Sequence, residues 1–231
     1  MRDVPGVRPA RQGLDEVAGV PMTYSVKECF YTLQGEGAQT GRAAVFLRLA
    51  GCNLWSGLER DRKAAVCRFC DTDFVGVDGE GGGKFGAADD VAAHVAARWK
   101  GERGRPYVVC TGGEPLLQLD EELIGALHRQ GFEVAVETNG TISAPKSLDW
   151  VCVSPKSTAE LQQLSGDELK LVFPQADAPP EKFASLEFRN FFLQPMDGPM
   201  REAATAACIA YCLAHPQWRL SLQTHKVTGI P

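Results

Sequence analysis

The chain has 231 residues, of which 44% are hydrophobic and 23% charged, with a formal net charge of −5. This length suits one large domain or at most two, and the negative charge supplies no basic patch that would favour nucleic acid as a partner. No apolar run approaches the roughly 18 residues that span a bilayer, and residues 1–21 lack the apolar stretch of a secretory signal. We therefore expect a cytoplasmic protein that acts on a small molecule, with no membrane or nucleic-acid partner.

The first 21 residues differ in composition from the rest of the chain. They are rich in proline, glycine and charge and show little periodic hydrophobicity, which is typical of a disordered extension or an added leader. Met22 could equally be the natural start, because every recognisable pattern follows it. The sequence therefore predicts a catalytic domain over 22–231.

From residue 24 onward, short β-branched runs alternate with helical stretches. The predicted strands are 24–32, 43–50, 107–111, 132–137, 150–154, 169–173, 191–194 and 219–223, and the predicted helices are 87–100, 120–130, 181–186 and 200–214. This alternation predicts right-handed βαβ units and a mostly parallel sheet. Since a complete eight-unit barrel takes about 250 residues, the sequence predicts an α/β fold with an abbreviated, partial (β/α) barrel.

Two long loops interrupt this pattern. Residues 53–68 separate two cysteines and are heavily charged, and residues 77–85 contain four glycines. Loops of this length within compact domains are usually functional or mobile. Both are therefore expected near a site.

Three of the eight cysteines, Cys52, Cys67 and Cys70, form a C-x14-C-x2-C pattern directly after the predicted strand 43–50. A C-x2-C pair places two thiolates on one turn, and a third thiolate can reach the same centre from the strand end. A structural zinc site takes four ligands, whereas a [4Fe–4S] cluster held by three thiolates keeps one iron open. A zinc site completed by a distant histidine or cysteine, and three unrelated core cysteines, remain as alternatives.

The other five cysteines are interpreted as packing residues. Cys208 and Cys212 have a C-x3-C spacing, but they lie in the predicted helix 200–214 among apolar residues. Cys29, Cys110 and Cys152 lie within predicted strands. Free cysteines in such places behave as small buried hydrophobes.

A second motif, TGGEP at 111–115, follows a predicted strand at a position where α/β sheets expose backbone groups to ligands. With the three cysteines and the aromatic Phe69, it resembles the radical S-adenosylmethionine superfamily. The segments FYTLQGEG at 30–37, GCNLW at 51–55, CDT at 70–72 and QPMD at 194–197 resemble one family within it, the 7-carboxy-7-deazaguanine synthases. The resemblance covers 22–231.

The cysteine spacing departs from the usual pattern of the superfamily. Most members have C-x3-C-x2-C, and the first gap in this chain is eleven residues longer. The resemblance therefore does not explain the role of residues 54–66.

The resemblance implies three cofactors: a [4Fe–4S] cluster on Cys52, Cys67 and Cys70, S-adenosylmethionine, and Mg²⁺ at the hydroxyl of Thr72. The implied S-adenosylmethionine contacts are Phe69, Cys70, Asp71, Gly113, Glu114, Ser154, Pro155, Lys156, Gln194, Pro195, Met196 and Asp197. The Glu114 carboxylate would suit the cationic amino group of this cofactor.

The resemblance also implies contacts to a pterin substrate. These are Leu33, Gln34, Gly35, Glu36, Arg48, Thr111, His225 and Pro231. A pterin has a guanidine-like edge that pairs with carboxylates and amides, and a carboxylate substituent pairs with arginine. The Pro231 contact uses the terminal carboxylate, which requires the chain to end at this residue.

The implied reaction is that of a carbon–nitrogen lyase. A reduced cluster cleaves S-adenosylmethionine, and the resulting radical abstracts hydrogen from C6 of 6-carboxy-5,6,7,8-tetrahydropterin. Ring contraction with loss of ammonia then gives 7-carboxy-7-deazaguanine, a precursor of the modified nucleoside queuosine. The resemblance further implies a flavodoxin-like electron donor and a homodimer. Two alternatives remain: a glycyl-radical activase of the same superfamily, and a zinc-binding interaction module without enzymatic activity.

Overall fold

Nine strands form a single sheet in the computed structural model, which describes residues 23–231. The strands are β1 (Tyr24–Leu33), β2 (Ala43–Leu49), β3 (Gly83–Phe85), β4 (Tyr107–Gly112), β5 (Glu133–Thr138), β6 (Trp150–Val153), β7 (Ser165–Phe173), β8 (Glu187–Pro195) and β9 (Trp218–Leu220). Their order is β3-β1-β2-β4-β5-β6-β7-β8-β9. β1 runs antiparallel to β2 and β3, and every other neighbouring pair is parallel.

The predicted α/β fold is confirmed, including the mostly parallel sheet and the incomplete barrel. The helices are α1 (Ala88–Ala96), α2 (Glu121–Arg129), α3 (Arg201–Ala214) and α4 (Thr224–Thr228). The first three lie in the crossovers from β2 to β4, β4 to β5 and β8 to β9. The connections from β5 to β6 and from β6 to β7 contain no α-helix, so the outer layer is shorter than that of a complete barrel.

Successive side chains along each strand point to opposite faces of the sheet. On β4, Val108 and Cys110 belong to the core that also contains the apolar faces of α1 and α2. The intervening Tyr107 and Val109 pack with Ala135 on the opposite, inner face. Polar residues that share this inner face are therefore directed into the barrel.

A second core lies between α3 and the last strands. Leu169, Leu171 and Leu193 pack there with Cys208 and Trp218. Four of the five cysteines outside the C-x14-C-x2-C pattern are buried, and Cys212 is partly buried: the buried ones are Cys29, Cys110, Cys152 and Cys208. All eight cysteines of the chain are free thiols. The interpretation of these five cysteines as packing residues is confirmed.

The structure differs from three local expectations. The helix predicted over 181–186 is only a 3-10 turn, Pro180–Lys182, because a segment so short cannot sustain an α-helix and follows two prolines. The strand predicted over 219–223 is present as β9 but ends at Leu220, and the unpredicted α4 begins at Thr224. The glycine-rich loop 77–85 ends in the unpredicted edge strand β3.

The expected disordered segment, 1–21, lies outside the described residues. Within 23–231, no helix has the length and apolar character needed to span a membrane.

Candidate active site

One cavity of about 410 Å³ opens where the parallel strands end. The carboxyl ends of parallel strands meet at one edge of a sheet, and ligands bind there in this fold class. Most of the residues singled out in the sequence line this cavity: Leu33, Gln34, Gly35, Glu36, Arg48, Cys67, Phe69, Cys70, Asp71, Thr72, Thr111, Gly113, Ser154, Lys156, Gln194, Pro195, Met196, Asp197, His225 and Pro231. The fold therefore brings together residues as far as 199 positions apart, as the hydrogen bond between Thr32 and Pro231 shows.

Three predicted residues do not line the cavity: Cys52, Glu114 and Pro155. Cys52 lies behind the lining residues, next to Gly113. Pro155 is buried between two lining residues. Glu114 is fully buried and requires a correction to its expected role.

The Glu114 carboxylate is fully engaged with the protein. One oxygen accepts hydrogen bonds from the Leu116 amide (3.0 Å) and the Thr138 hydroxyl (2.7 Å), and the other accepts one from the Asn139 amide (2.8 Å). Burial raises its pKa, although these hydrogen bonds oppose the shift. The geometry therefore assigns Glu114 to holding the turn after β4, and it leaves the backbone of Gly112 and Gly113 facing the cavity.

Both glycines are required by close backbone packing. Gly112 has a φ of +156°, and a Cβ on it would lie 2.2 Å from the carbonyl oxygen of Leu49. A Cβ on Gly113 would lie 2.3 Å from the carbonyl oxygen of Gly51 and 2.6 Å from the Cβ of Cys52. The TGGEP motif and the first cysteine are thus packed directly against each other.

The three predicted cluster ligands lie at one end of the cavity, on residues 52–73, which we call the cysteine loop. A hydrogen bond from the Cys67 thiol lowers the pKa of Cys70 to about 6, although burial opposes this shift. Burial raises the pKa of Cys52, and the negative charge of Cys70 adds to that effect. Cys52 and Cys70 both pack against a buried cluster of Trp55, Ala65 and Phe74.

The three thiols are ligands of the type that iron–sulfur clusters use, and structural zinc sites use thiolates as well. Among residues 23–231, no three His, Cys, Asp or Glu side chains lie close enough together to hold one metal ion. A zinc ion needs ligands at about 2.0–2.3 Å in a closed tetrahedron. The three thiols are therefore not arranged around a single ion in this structure.

A buried polar group forms the opposite side of the cavity, and we call it the Lys170 network: Gln34, Glu36, Glu137, Lys170 and Gln223. The Lys170 ammonium lies 2.6 Å from Glu36 and 3.1 Å from Glu137, and the residue is only 3% exposed. Gln34 donates to Glu137 (2.8 Å), and Gln223 donates to Glu36 (3.1 Å).

The charges of this network stabilise one another. Burial alone would raise the pKa of Glu36, but the adjacent Lys170 ammonium outweighs it and lowers that pKa to about 2. Burial would likewise lower the pKa of Lys170, but the carboxylates of Glu137 and Glu36 hold it well above its usual range. The pair is therefore ionised at neutral pH inside the barrel.

Sequence reasoning missed Lys170 and Glu137, although a signal for both was present. In β7, Glu168 and Lys170 alternate with Leu169 and Leu171, which belong to the outer core. Charged residues at every second position of a buried parallel strand must face the barrel interior. On β5, Val136 belongs to the outer core, so the same alternation places the next residue, Glu137, on the inner face of the sheet.

The hairpin of β1 and β2 supplies a third side of the cavity. Arg48 donates to Glu28 across the hairpin (2.6 Å), and the two residues are paired in its register. The rings of Phe30 and Phe46, the next pair along the hairpin on the same side, stack with their centroids 5.7 Å apart. All four side chains line the cavity, so this wall offers one guanidinium beside an aromatic surface.

The end of the chain closes the cavity between β1 and the cysteine loop. The Thr32 hydroxyl donates to the Pro231 carbonyl oxygen (3.2 Å), and a Cβ on Gly35 would lie 2.4 Å from the His225 ring. The Lys226 ammonium bridges Asp71 (2.6 Å) and Asp197 (2.7 Å). This bridge ties the C-terminal segment to the cysteine loop and to the end of β8.

Comparison with known proteins gives a consistent family. No family model matches the chain. Two curated relatives named 7-carboxy-7-deazaguanine synthase, from Caulobacter vibrioides and Bordetella pertussis, are each 66% identical to it over 210 residues, which cover 91% of this chain and all of the relative. A relative of the same name from Bacteroides thetaiotaomicron is 39% identical over 209 residues, which cover 90% of this chain and all of the relative.

A solved structure agrees with these relatives. The crystal structure of QueE from Escherichia coli is 30% identical and superimposes with a TM-score of 0.65, over 87% of this chain and 94% of the other. The fold, the cavity at the strand ends and these similarities agree. The chain belongs to the 7-carboxy-7-deazaguanine synthase family of enzymes.

Proposed function

We propose that this protein is a radical S-adenosylmethionine carbon–nitrogen lyase. It converts 6-carboxy-5,6,7,8-tetrahydropterin to 7-carboxy-7-deazaguanine with loss of ammonia, in the biosynthesis of queuosine. The observation that carries the proposal is a single cavity at the strand ends, lined by thiols on one side and by the ionised Lys170 network on the other. The family of the curated relatives reported above supports the same reaction.

The cysteine loop is proposed to hold the cofactors. Cys52, Cys67 and Cys70 would bind a [4Fe–4S] cluster, which, with S-adenosylmethionine, would supply the electron transfer and hydrogen abstraction. The backbone of Gly112 and Gly113 approaches the cavity without side chains, which allows close contact to an amino-acid moiety. The proposed contacts to the rest of this cofactor are Phe69, Asp71, Ser154, Pro155, Lys156, Gln194, Pro195, Met196 and Asp197.

The Lys170 network is proposed to receive the guanidine-like edge of the pterin. The carboxylates of Glu36 and Glu137, both paired with Lys170, would act as hydrogen-bond acceptors for N–H groups. Arg48 would pair with the carboxylate substituent, since a guanidinium binds a carboxylate through two parallel hydrogen bonds. The remaining proposed substrate contacts are Leu33, Gln34, Gly35, Thr111, His225 and Pro231.

Thr72 is proposed to contribute its hydroxyl to a Mg²⁺ ion. Thr72 lines the cavity two residues after Cys70. Magnesium takes few protein ligands and keeps oxygen ligands from water or substrate, so the substrate would supply part of the octahedron. A flavodoxin-like electron donor, a homodimer and a cytoplasmic location also belong to this proposal.

The test is anaerobic reconstitution of the protein with iron and sulfide, followed by turnover of the tetrahydropterin with S-adenosylmethionine. We expect four irons and four sulfides per chain and formation of 7-carboxy-7-deazaguanine. The Cys67→Ala variant should lose both the cluster and turnover, whereas Cys208→Ala, on the buried face of α3, should keep both.

Two results would contradict the proposal in different ways. One zinc ion per chain without iron would favour the interaction module. Formation of 5′-deoxyadenosine without consumption of the pterin would favour the glycyl-radical activase.

A further inference from the structure

Residues 54–66, the insertion between the first two cysteines, fold into a compact segment within the cysteine loop. A 3-10 helix spans Glu59–Ala64, and its flanks contribute the buried Trp55 and Ala65. The Trp55 indole donates to the carbonyl oxygen of Leu58 (3.2 Å) and meets the ring of Phe74 edge-on at 5.6 Å. Cys52 and Cys70 pack against this apolar cluster, so the insertion contacts two of the three thiol-bearing residues.

Arg62 joins the insertion to the C-x2-C turn. Its guanidinium donates one hydrogen bond to the carbonyl oxygen of Arg68 (3.0 Å) and another to that of Cys70 (3.1 Å). The same group stacks over the Trp55 ring at 4.1 Å and is paired with Glu59 at 2.7 Å. One side chain thereby fixes two backbone positions of the turn and the ring beneath it.

The long gap between Cys52 and Cys67 increases the need for contacts that hold the C-x2-C turn in place. Closing a loop costs more chain entropy as the loop lengthens, and the gap here is 14 residues, between Cys52 and Cys67. The backbone contributes a bond from the Val66 amide to the Leu54 carbonyl (3.1 Å), which closes the base of the insertion. The Arg62 contacts hold the 3-10 helix of the insertion against the C-x2-C turn.

We propose that Arg62 is a positioning residue that holds Cys67 and Cys70 in a cluster-binding arrangement before the cluster arrives. It acts through the backbone of the turn and not by touching the cluster. Nη1 donates to both carbonyls, while Nε pairs with Glu59 and the planar group lies over the indole. Lysine has one nitrogen and no planar face, so it cannot make all of these contacts at once. The inference rests on the proposed cluster role of the three cysteines.

The test compares Arg62→Gln and Arg62→Lys with the control Arg60→Gln. Arg60 lies on the same 3-10 helix, and 79% of its side chain is exposed. It forms an ion pair with Asp61 at 3.7 Å. Each variant is reconstituted anaerobically, and the release of iron to a chelator is timed. We expect both Arg62 variants to lose iron about tenfold faster than wild type, the loss expected of roughly two hydrogen bonds, and Arg60→Gln to match wild type.

A second measurement needs neither cluster nor activity. In the cluster-free protein, alkylation of each thiol is followed by mass spectrometry of the peptides. We expect Cys67 and Cys70 to react about tenfold faster in the Arg62 variants, with Cys110 and Cys208 unchanged as reporters of the intact cores. Unchanged Cys110 and Cys208 show that the variants are folded.

The outcomes separate this inference from the proposed function. If wild type takes up a cluster and the Arg62 variants match Arg60→Gln in iron release and in alkylation, Arg62 has no positioning role. If wild type takes up no cluster, the proposed function fails, and the alkylation rates alone still decide whether Arg62 orders the turn.

Discussion

The two sides of the cavity are built in opposite ways. The central cation of the Lys170 network lies on β7, buried between two carboxylates, one of which, Glu137, lies on β5. The cysteine loop contains no strand, and cations fasten it from outside: Lys27 to Asp73 and Lys226 to Asp71. A sheet can hold a polar group in place by packing, whereas a loop that must wrap a bulky cofactor needs separate fasteners.

The energetics of the two sides should differ accordingly. Removing one partner of a buried ion pair leaves an uncompensated charge and costs about 3–5 kcal/mol. Exposed ion pairs contribute about 0–1 kcal/mol each, and the carboxylate partner of Lys27, Asp73, is 72% exposed. The comparison therefore predicts that one residue, Lys170, is critical to the Lys170 network. In the cysteine loop, several weak ion pairs should share the same task, so that the loss of one has little effect.

Lys170→Met is expected to have the largest effect. It leaves the partly buried carboxylates of Glu36 and Glu137 without their cation, so we expect a loss of about 3 kcal/mol in the free energy of unfolding and loss of pterin turnover. Urea denaturation measures the first effect. The control is Lys84→Met on β3, where the lysine is exposed; an equal loss in both variants would contradict a special role for the buried cation.

The pH dependence of the same variant gives a sharper test. Because Lys170 lowers the pKa of Glu36 to about 2, this pair stabilises the fold above the unfolded value of about 4.3, and the contribution is lost as pH falls through about 2. Without Lys170, burial raises the pKa of Glu36, so ionisation becomes destabilising as pH rises. The stability difference between wild type and Lys170→Met should grow from pH 3 to pH 7; a constant difference would mean that the two groups are not coupled.

Gly113→Ala tests the packing of the TGGEP motif against the start of the cysteine loop and should have an intermediate effect. The new Cβ would meet the Gly51 carbonyl oxygen at 2.3 Å and displace Cys52. A shift of this kind near reacting groups can reduce rates about 100-fold, and we expect a higher KM for S-adenosylmethionine together with a lower kcat. Gly86→Ala is the matched control, because no atom lies within 4 Å of its added Cβ.

An extension of a few residues after Pro231 should have the smallest effect. It perturbs the hydrogen bond that the Thr32 hydroxyl donates to the Pro231 carbonyl oxygen (3.2 Å). Since a typical hydrogen bond contributes about 0.5–1.5 kcal/mol, and somewhat more when charged, the KM for the pterin should rise about tenfold. The same residues added before Met1 serve as the control, and equal kinetics in both proteins would remove this contact from the account.

The order of elements and the lining of the cavity were predictable because they depend on local patterns. Alternating apolar runs located the parallel strands, and the ends of these strands meet at one edge in any such sheet. The family resemblance named residues at those ends. Most of them line the cavity.

Long-range pairing could not be predicted in the same way. Lys170 meets Glu36 only because β7 and the segment after β1 converge inside the barrel, across more than a hundred residues of chain. Glu114 was assigned to a ligand because its motif suggested one, but its partners, Thr138 and Asn139, come from the end of β5. The structure of residues 54–66 depended on burial of Trp55 against Phe74, which the spacing of charges does not reveal.

The most direct test is an anaerobic crystal structure of the reconstituted protein with S-adenosylmethionine and 6-carboxy-5,6,7,8-tetrahydropterin. The account predicts a [4Fe–4S] cluster on Cys52, Cys67 and Cys70, and the pterin edge within hydrogen-bond distance of Glu36 or Glu137, with Lys170 still between them. A single metal ion at the cysteines, or a pterin bound away from these carboxylates, would contradict it.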